Sequence, residues 1–190
     1  MGSKIECISN VRKENMVDFI WENLFRSGGK DQSIRKTLKE NILFSDLNFG
    51  ELHLMEKIVN VRNYRPGESI FRQGEVGVGM YLISSGSVNI YVEELKAESS
   101  EVKTTHVVQL KAGDFFGELA LVEQEGRRTA SAAAHDETVL IGFFKPDLME
   151  VVERNPTAGV KILMRLGEVL GTRLHQTTNR ITALKKDVRP

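Results

Sequence analysis

The chain has 190 residues, of which 41% are hydrophobic and 27% charged, as in an ordinary globular protein with a buried core. Its 26 basic and 26 acidic residues give a net charge of zero, which disfavours nucleic-acid or membrane partners that require broad positive charge. The single cysteine, Cys7, cannot form an internal disulfide, and no apolar stretch approaches the ~18 residues of a membrane span. We therefore expect a cytoplasmic protein.

Residues 1–65 have the hydrophobic spacing of helices. Apolar residues recur at intervals of three and four in three stripes, at 17–25, 34–43 and 47–59. We predict helices that pack against the following domain or against a second copy of the chain. Residues 1–43 are assigned to an N-terminal helical extension.

Residues 64–144 change to a β pattern. Seven glycines fall between positions 74 and 126 and separate short runs rich in β-branched and aromatic residues. The predicted strands are 69–72, 80–84, 87–92, 105–110, 129–134 and 138–143, with 93–103 as an exposed hairpin extension. Many short strands with glycines between them favour an antiparallel sandwich, barrel or roll, which we assign to a domain at 44–145.

The last region, 146–190, is predicted to be helical again. Pro146 suits the first turn of a helix that ends near Asn155, and Thr157 could cap a final helix that extends to about Leu184. Its ~28 residues would span about 40 Å, which is longer than one small domain requires. Part of its apolar stripe is therefore expected to pack outside its own domain, as core or as a dimer contact.

Residues 116–121 (FGELAL), followed six residues later by RTAS, carry the functional signal. Gly117 allows close backbone approach, and the turn after it would present free backbone N–H groups to a phosphate oxygen. Arg128 offers a permanently charged donor fork for the same anion, and Thr129 adds a hydroxyl. Glu118 is unfavourable beside an anion unless it accepts hydrogen bonds, which a ribose 2′-hydroxyl would donate. The combination suits a small sugar phosphate or nucleotide.

FGELAL, a six-residue gap and then RTA resemble the phosphate-binding cassette of cyclic-nucleotide-binding domains. These domains occur in catabolite-activator proteins, regulatory subunits of cyclic-AMP-dependent kinase, and cyclic-nucleotide-gated and hyperpolarisation-activated channels. Residues 70–86 (IFRQGEVGVGMYLISSG) resemble the glycine-bounded early strands of the family, although Phe71 replaces the smaller residue more usual there. The resemblance covers about 44–184. It implies a mainly β fold with flanking helices (α+β), an antiparallel β-roll with N-terminal helices and a long C-terminal helix.

The resemblance also implies residue roles. Backbone N–H groups of Gly117 and Ala120 would meet the cyclic phosphate, and Arg128 would pair with its charge. Glu118 would hold the ribose 2′-hydroxyl. Thr129 would touch the phosphate, and in channel-like members a threonine there accompanies acceptance of cyclic GMP as well as cyclic AMP. Two residues on the strand before the cassette would form walls for the purine. The predicted ligand-binding set is Phe116, Gly117, Glu118, Leu119, Ala120, Arg128, Thr129, Ala130, Val108 and Leu110.

The same residues have alternative interpretations. Arg128 could be a surface arginine paired with Glu123 or Glu125. Arg127 could take its role after a one-residue slip, although the Thr-Ala that follows favours Arg128. Glu118 could be a solvated loop acid or the structural ion-pair partner of Arg128. In that case the roll would be a scaffold that binds no nucleotide and serves dimerisation or protein–protein interaction.

Enzyme and DNA-binding classes fit poorly. The four histidines lack metal-ligand spacing, and the sequence contains neither a P-loop nor a serine nucleophile elbow. No segment after the last predicted helix could form a helix-turn-helix, so we expect no nucleic-acid partner.

We predict a non-catalytic sensor of cyclic AMP or cyclic GMP without metal or cofactor. On binding, its C-terminal helix would move over the purine, with Arg180 and Ile181 as the closing contacts. The signal would pass to an unidentified effector protein or through a homodimer.

Overall fold

A computed structural model of the chain describes residues 34–95 and 102–187. The predicted helical stripe at 17–25 and the hairpin tip at 96–101 lie outside the described residues. The described elements in chain order are α1 (34–40), α2 (Phe49–Ile58), β1 (Asn60–Tyr64), β2 (Ser69–Phe71), β3 (Gly79–Ser85), β4 (Ser87–Leu95), β5 (Val102–Lys111), β6 (Phe115–Phe116), α3 (Leu119–Val122), β7 (Ser131–Ala134), β8 (Thr138–Phe144), α4 (Lys145–Arg154) and α5 (Pro156–Asp187).

The eight strands of this described part form two four-stranded antiparallel sheets. Sheet one has the strand order β1-β8-β3-β6, and sheet two has the order β2-β7-β4-β5. Apart from the β4–β5 hairpin, consecutive strands alternate between the two sheets, so the chain winds around a common interior as a β-roll. The predicted fold class, an antiparallel roll with flanking helices and a long C-terminal helix, is confirmed.

Alternation along the strands divides the apolar side chains between two cores. Both sheets contribute to the interior of the roll through Tyr64, Ile83, Val88, Phe116, Ala132, Ala134 and Leu140. The outer face of sheet one packs against the helices in a second core, which includes Met80, Leu82, Ile141, Phe143, Leu52, Met55, Leu148, Val151, Ala158, Ile162 and Leu166. Leu82 and its neighbour Ile83 thus enter different cores, and each fully buried aliphatic side chain contributes about 1.5–3 kcal/mol.

Two ion pairs join the leading helical region to the start of α5. Glu51, in the capping box of α2, is 4% exposed and accepts from Lys161 Nζ at 2.8 Å. Asp46 accepts from Arg165 Nε at 2.7 Å. These contacts place the N-terminal part of α5 against sheet one, because α2 already covers that sheet.

The prediction of helix up to residue 65 is wrong for 60–64. This segment is β1, which pairs with β8 from Asn60 opposite Gly142 to Tyr64 opposite Thr138. Only Tyr64 of the five residues is buried, so the strand carries little hydrophobic period of its own. Pairing with a distant strand decides its conformation.

Smaller differences occur at element ends. The predicted strand 129–134 begins only at Ser131, because Thr129 and Ala130 lie in a bend. The sequence reading did not include β6, whose two residues are too few to show a period. The final helix begins at Pro156 and extends to Asp187, close to the predicted limits.

The second half of α5 projects from the roll. Every residue from 171 to 185 is exposed, whereas Ile162 and Leu166 in the first half are buried. None of the described helices is both long and apolar enough to cross a membrane.

Candidate functional site

A pocket of about 290 Å³ opens where β6 and α3 face the ends of β4, β5 and the loop before β7. This volume is close to the lower end of small-molecule sites, roughly 300 Å³. All ten residues of the predicted ligand-binding set line the pocket. The remaining lining residues are Phe71, Gly77, Ile90, Phe115, Glu123, Gly126, Arg127 and Arg173.

Arg128 is the buried cation of the pocket, with only 8% of its surface exposed. Its Nη2 donates to Gly79 O at 2.7 Å and its Nη1 to Gly117 O at 3.2 Å. The guanidinium carbon lies 4.0 Å from the centre of the Phe71 ring, a cation–π contact. Burial lowers the pKa of the guanidinium from its ordinary value, and nearby acidic side chains oppose this shift. Arg128 is therefore not the surface arginine of the alternative interpretation.

One donor of Arg128 is unused. Its Nε is buried and has no hydrogen-bond partner among the described residues. A buried donor without an acceptor costs about 1–3 kcal/mol, so an acceptor supplied by a ligand would stabilise this arrangement. The orphaned charged donor gives the pocket the chemistry of an anion site.

Gly117 lets the cassette approach Arg128. Its φ of +78° lies in the left-handed region, and a Cβ at this position would lie 2.5 Å from Arg128 Nη1. Gly77 serves the opposite wall, because a Cβ there would lie 2.8 Å from the Cβ of Ala120. Both positions require glycine for close approach, as predicted for Gly117.

One of the two predicted backbone donors of the cassette, Ala120, is already bonded within the chain. Ala120 N donates to Gly117 O at 3.2 Å, and Leu121 N donates to Glu118 O at 3.0 Å, within the first turn of α3. The expectation that the turn leaves these N–H groups free is wrong, because a single helical turn already uses them. Gly117 O accepts from Ala120 and from Arg128, two of the donors predicted to meet a phosphate.

Glu118 is held by a residue that the sequence reading missed. Its side chain is 7% exposed, and its Oε1 accepts from Nη1 of Arg173 on α5. The Arg173 guanidinium also lies 4.8 Å from the centre of the Phe115 ring. The alternative interpretation, an ion pair between Glu118 and Arg128, is therefore wrong, because Glu118 pairs with Arg173 instead. No local sequence signal marks Arg173, since it lies 55 residues away on a helix of ordinary composition.

The apolar side of the pocket is formed by strands of sheet two. Val108 is 42% exposed, Leu110 is half-buried, and the adjacent strand adds Ile90, which the sequence reading omitted. Strand pairing could have suggested it, because Ile90 lies opposite Val108 in the β4–β5 ladder. The expected closing residues Arg180 and Ile181 are exposed and do not line the pocket.

Comparison with known proteins gives consistent matches. A family model described as cyclic nucleotide-binding domain matches residues 61–155. The chain is 31% identical to the cyclic AMP receptor protein of Thermus thermophilus over 139 residues, which cover 73% of this chain and 60% of that protein. It is 34% identical to the cyclic nucleotide-gated channel beta-3 of Mus musculus over 122 residues, 63% of this chain and 16% of the channel. The chain thus spans 60% or less of these relatives.

Solved structures agree. The crystal structure of the Thermus thermophilus catabolite activator protein superposes with a TM-score of 0.66 at 30% identity, covering 76% of this chain and 63% of that one. The cAMP-bound PfPKA-R structure superposes with a TM-score of 0.54 at 30% identity, covering 64% of this chain and 41% of that one.

Proposed function

Because the chain belongs to the family of cyclic nucleotide-binding domains, we propose that its pocket binds cyclic AMP or cyclic GMP and that it acts as a non-catalytic regulatory module in the cytoplasm. Relatives named as a cyclic AMP receptor protein and a cyclic nucleotide-gated channel support this ligand class. The proposal includes neither a metal nor a cofactor.

The observation that carries the proposal is the buried, unpartnered Nε of Arg128 beside the pocket. A cyclic phosphate has one negative charge and two free oxygens, which suit a guanidinium that has a donor to spare. Thr129, exposed at the pocket rim, would add a hydroxyl. The nucleotide would lie with its phosphate at Arg128 and its purine between Val108 and Leu110 on sheet two.

Glu118 would accept the ribose 2′-hydroxyl. Its carboxylate lies in the same pocket as Arg128 but is bonded elsewhere, so the two charges are not used up on each other. A phosphate donor set and a hydroxyl acceptor in one pocket distinguish a cyclic ribonucleotide from inorganic phosphate.

We also propose that α5 transmits the signal. The helix reaches the pocket through Arg173, and its exposed second half is free to contact an effector or a second copy. A ligand can shift such a helix only by its difference in affinity for the two positions, so α5 must contact the ligand or a residue that the ligand binds. Arg173 meets this condition, whereas Arg180 and Ile181 lie outside the pocket.

Replacement of Arg128 tests the function directly. Arg128→Ala should weaken binding of cyclic AMP and cyclic GMP by roughly 30-fold to several-thousand-fold, the ~2–5 kcal/mol lost when one partner of a desolvated charge pair is removed. Isothermal titration calorimetry measures the loss. Arg72→Ala is the matched control, because Arg72 is exposed and does not line the pocket. A loss below about threefold for Arg128→Ala would count against the phosphate site.

A thermal-shift assay distinguishes nucleotide binding from the scaffold alternative, which predicts no change in melting temperature. A ligand at about 100 times its dissociation constant adds about 2.7 kcal/mol to the stability of the folded state and raises the melting temperature. If neither cyclic AMP nor cyclic GMP raises the melting temperature, the roll is a scaffold and the proposed function is wrong.

A further inference from the structure

The ion pair between Glu118 and Arg173 resolves a conflict of charge within the pocket. The carboxyl group of Glu118, whose side chain is 93% buried, lies beside the site proposed for an anionic ligand. Without compensation, the carboxylate would repel the phosphate and would itself be costly to bury. Arg173 supplies the compensating charge from α5, 55 residues further along the chain.

We propose that Arg173 is the positioning residue that lets this pocket hold a carboxylate and an anionic nucleotide at once, and that it makes ribose recognition depend on the position of α5. The proposal rests on the function proposed above. Arg173 acts on the ligand through Glu118 and needs no contact with the ligand itself.

The ion pair leaves one carboxylate oxygen of Glu118 as an acceptor for the ribose. Arg173 Nη1 bonds Glu118 Oε1, while the contacts of the described residues leave Oε2 without a partner. A 2′-hydroxyl can donate to that second oxygen without breaking the ion pair, because a carboxylate has about four lone-pair sites. A neutral hydroxyl would also compete poorly against a guanidinium for the same oxygen, since hydrogen bonds with two charged partners are the stronger ones. Arg173 and the ribose are therefore expected to bind Glu118 together.

The position of Arg173 on α5 links the pocket to the projecting helix. All residues from 171 to 185 are exposed, and within that stretch Arg173 is the described residue that bonds to the roll, through Glu118 and more weakly to Phe115 O at 3.5 Å. Stacking of its guanidinium on the Phe115 ring adds a second contact. Loss of the pair would release this part of α5 and remove the charge compensation in one step.

A double-mutant cycle in the full chain tests the inference. Arg173→Ala should weaken cyclic AMP binding about tenfold, and by less than about twofold when Glu118→Gln has already removed the charge that needs compensation. Arg173→Lys should restore most of the affinity, because it restores the charge. Arg180→Ala is the matched control, an exposed arginine two turns along the same helix, and should leave the affinity unchanged. Binding is measured by calorimetry at low and high salt, since the half-exposed Arg173 is screened by added ions.

Each outcome decides the point. Tighter binding by Arg173→Ala would mean that Arg173 blocks the pocket. An equal loss of affinity in the unaltered chain and in Glu118→Gln would mean that Arg173 contacts the nucleotide directly. Either result overturns the inference, and so does an unchanged affinity. If the unaltered chain binds neither cyclic AMP nor cyclic GMP, the proposed function fails first. If the chain binds the nucleotide tightly and Arg173→Ala leaves the affinity unchanged, this inference is wrong and the proposed function stands.

Hydrogen exchange without ligand gives an independent readout. Arg173→Ala and Glu118→Gln should each speed amide exchange in the 171–185 part of α5, and together no more than either alone. Additive effects, or an equal change in Arg180→Ala, would contradict the link between the pocket and α5.

Discussion

At the scale of single residues, two donors of the proposed anion site already have a partner within the chain. The carbonyl oxygen of Gly117 accepts from Arg128 and from Ala120, which are two of the donors proposed for the phosphate. A phosphate oxygen would therefore take over the role of this carbonyl oxygen. The left-handed φ at Gly117 is what holds the carbonyl in reach of both donors.

Gly117→Ala should weaken cyclic nucleotide binding at least tenfold, because the new Cβ would lie 2.5 Å from Arg128 Nη1 and displace the guanidinium. It should also destabilise the fold by roughly 1–3 kcal/mol through its φ of +78°. Calorimetric titration and denaturant unfolding separate the two effects.

Gly113→Ala is the matched control. Gly113 has a φ of +93°, but a Cβ there would meet nothing within 4 Å. It should lose a similar amount of stability with unchanged nucleotide affinity. If both variants lose affinity equally, backbone strain rather than the contact with Arg128 explains the effect.

At the scale of elements, α5 has one half in the core and one half in solvent. Apolar side chains at 160, 163, 170, 174, 181 and 184 recur at spacings of three, four and seven along its length, and five of the six are exposed by more than 40%. A repeat of this kind over several turns is typical of a helix that packs on another helix. A second copy of the chain offers the same stripe, which supports the proposed homodimer.

Leu174→Glu with Ile181→Glu should convert such a dimer to monomer, because like charges would replace the apolar contact at the seam. Sedimentation velocity over a range of concentrations measures the change. Gln176→Glu with Asn179→Glu adds the same charge at exposed polar positions of the same helix and should leave the association unchanged. A chain that is monomeric before any substitution contradicts the homodimer.

At the scale of the whole molecule, carboxylates tie the helices to one another. The hydrogen bond from Arg165 lowers the pKa of Asp46, and the hydrogen bond from Arg35 lowers the pKa of Glu56. For Glu51, burial alone would raise the pKa, but hydrogen bonds from Lys161 and the Asn48 backbone outweigh it and lower the value.

These shifts predict acid sensitivity. A carboxyl whose pKa is lower in the folded state contributes stability above its unfolded pKa and loses it as the pH falls through the folded value. The ordinary pKa is 4.5 for a glutamate such as Glu51 and 3.8 for an aspartate such as Asp46. The free energy of unfolding should therefore decrease as the pH falls below 4.5. Asp147 contributes to the pH dependence of stability in the opposite direction, because burial raises its pKa.

Urea unfolding at about pH 7 and about pH 3.5 measures this difference. Glu51→Gln should give a smaller difference between the two pH values than the unaltered chain, because it removes one of the contributing carboxyls. An unchanged difference would show that the Glu51–Lys161 pair adds nothing to the pH dependence.

The sequence by itself determined the architecture and ten of the residues that line the pocket. The informative patterns are local: glycines between short β-rich runs, the apolar stripes of the helices and the spacing of FGELAL from RTA. Local patterns can be read directly from the sequence. For this reason the roll, the long α5 and the gathering of Gly117, Glu118 and Arg128 in one pocket could all be anticipated.

Only the tertiary structure decided which groups pair. The strand at 60–64 forms because β8 lies beside it, and the N–H of Ala120 is used because α3 closes a turn over Gly117. Glu118 is neutralised by Arg173, a residue that becomes its neighbour only after α5 has packed on the roll. Such contacts depend on distances between segments far apart in the chain, and the sequence around a charged side chain does not identify its ion-pair partner.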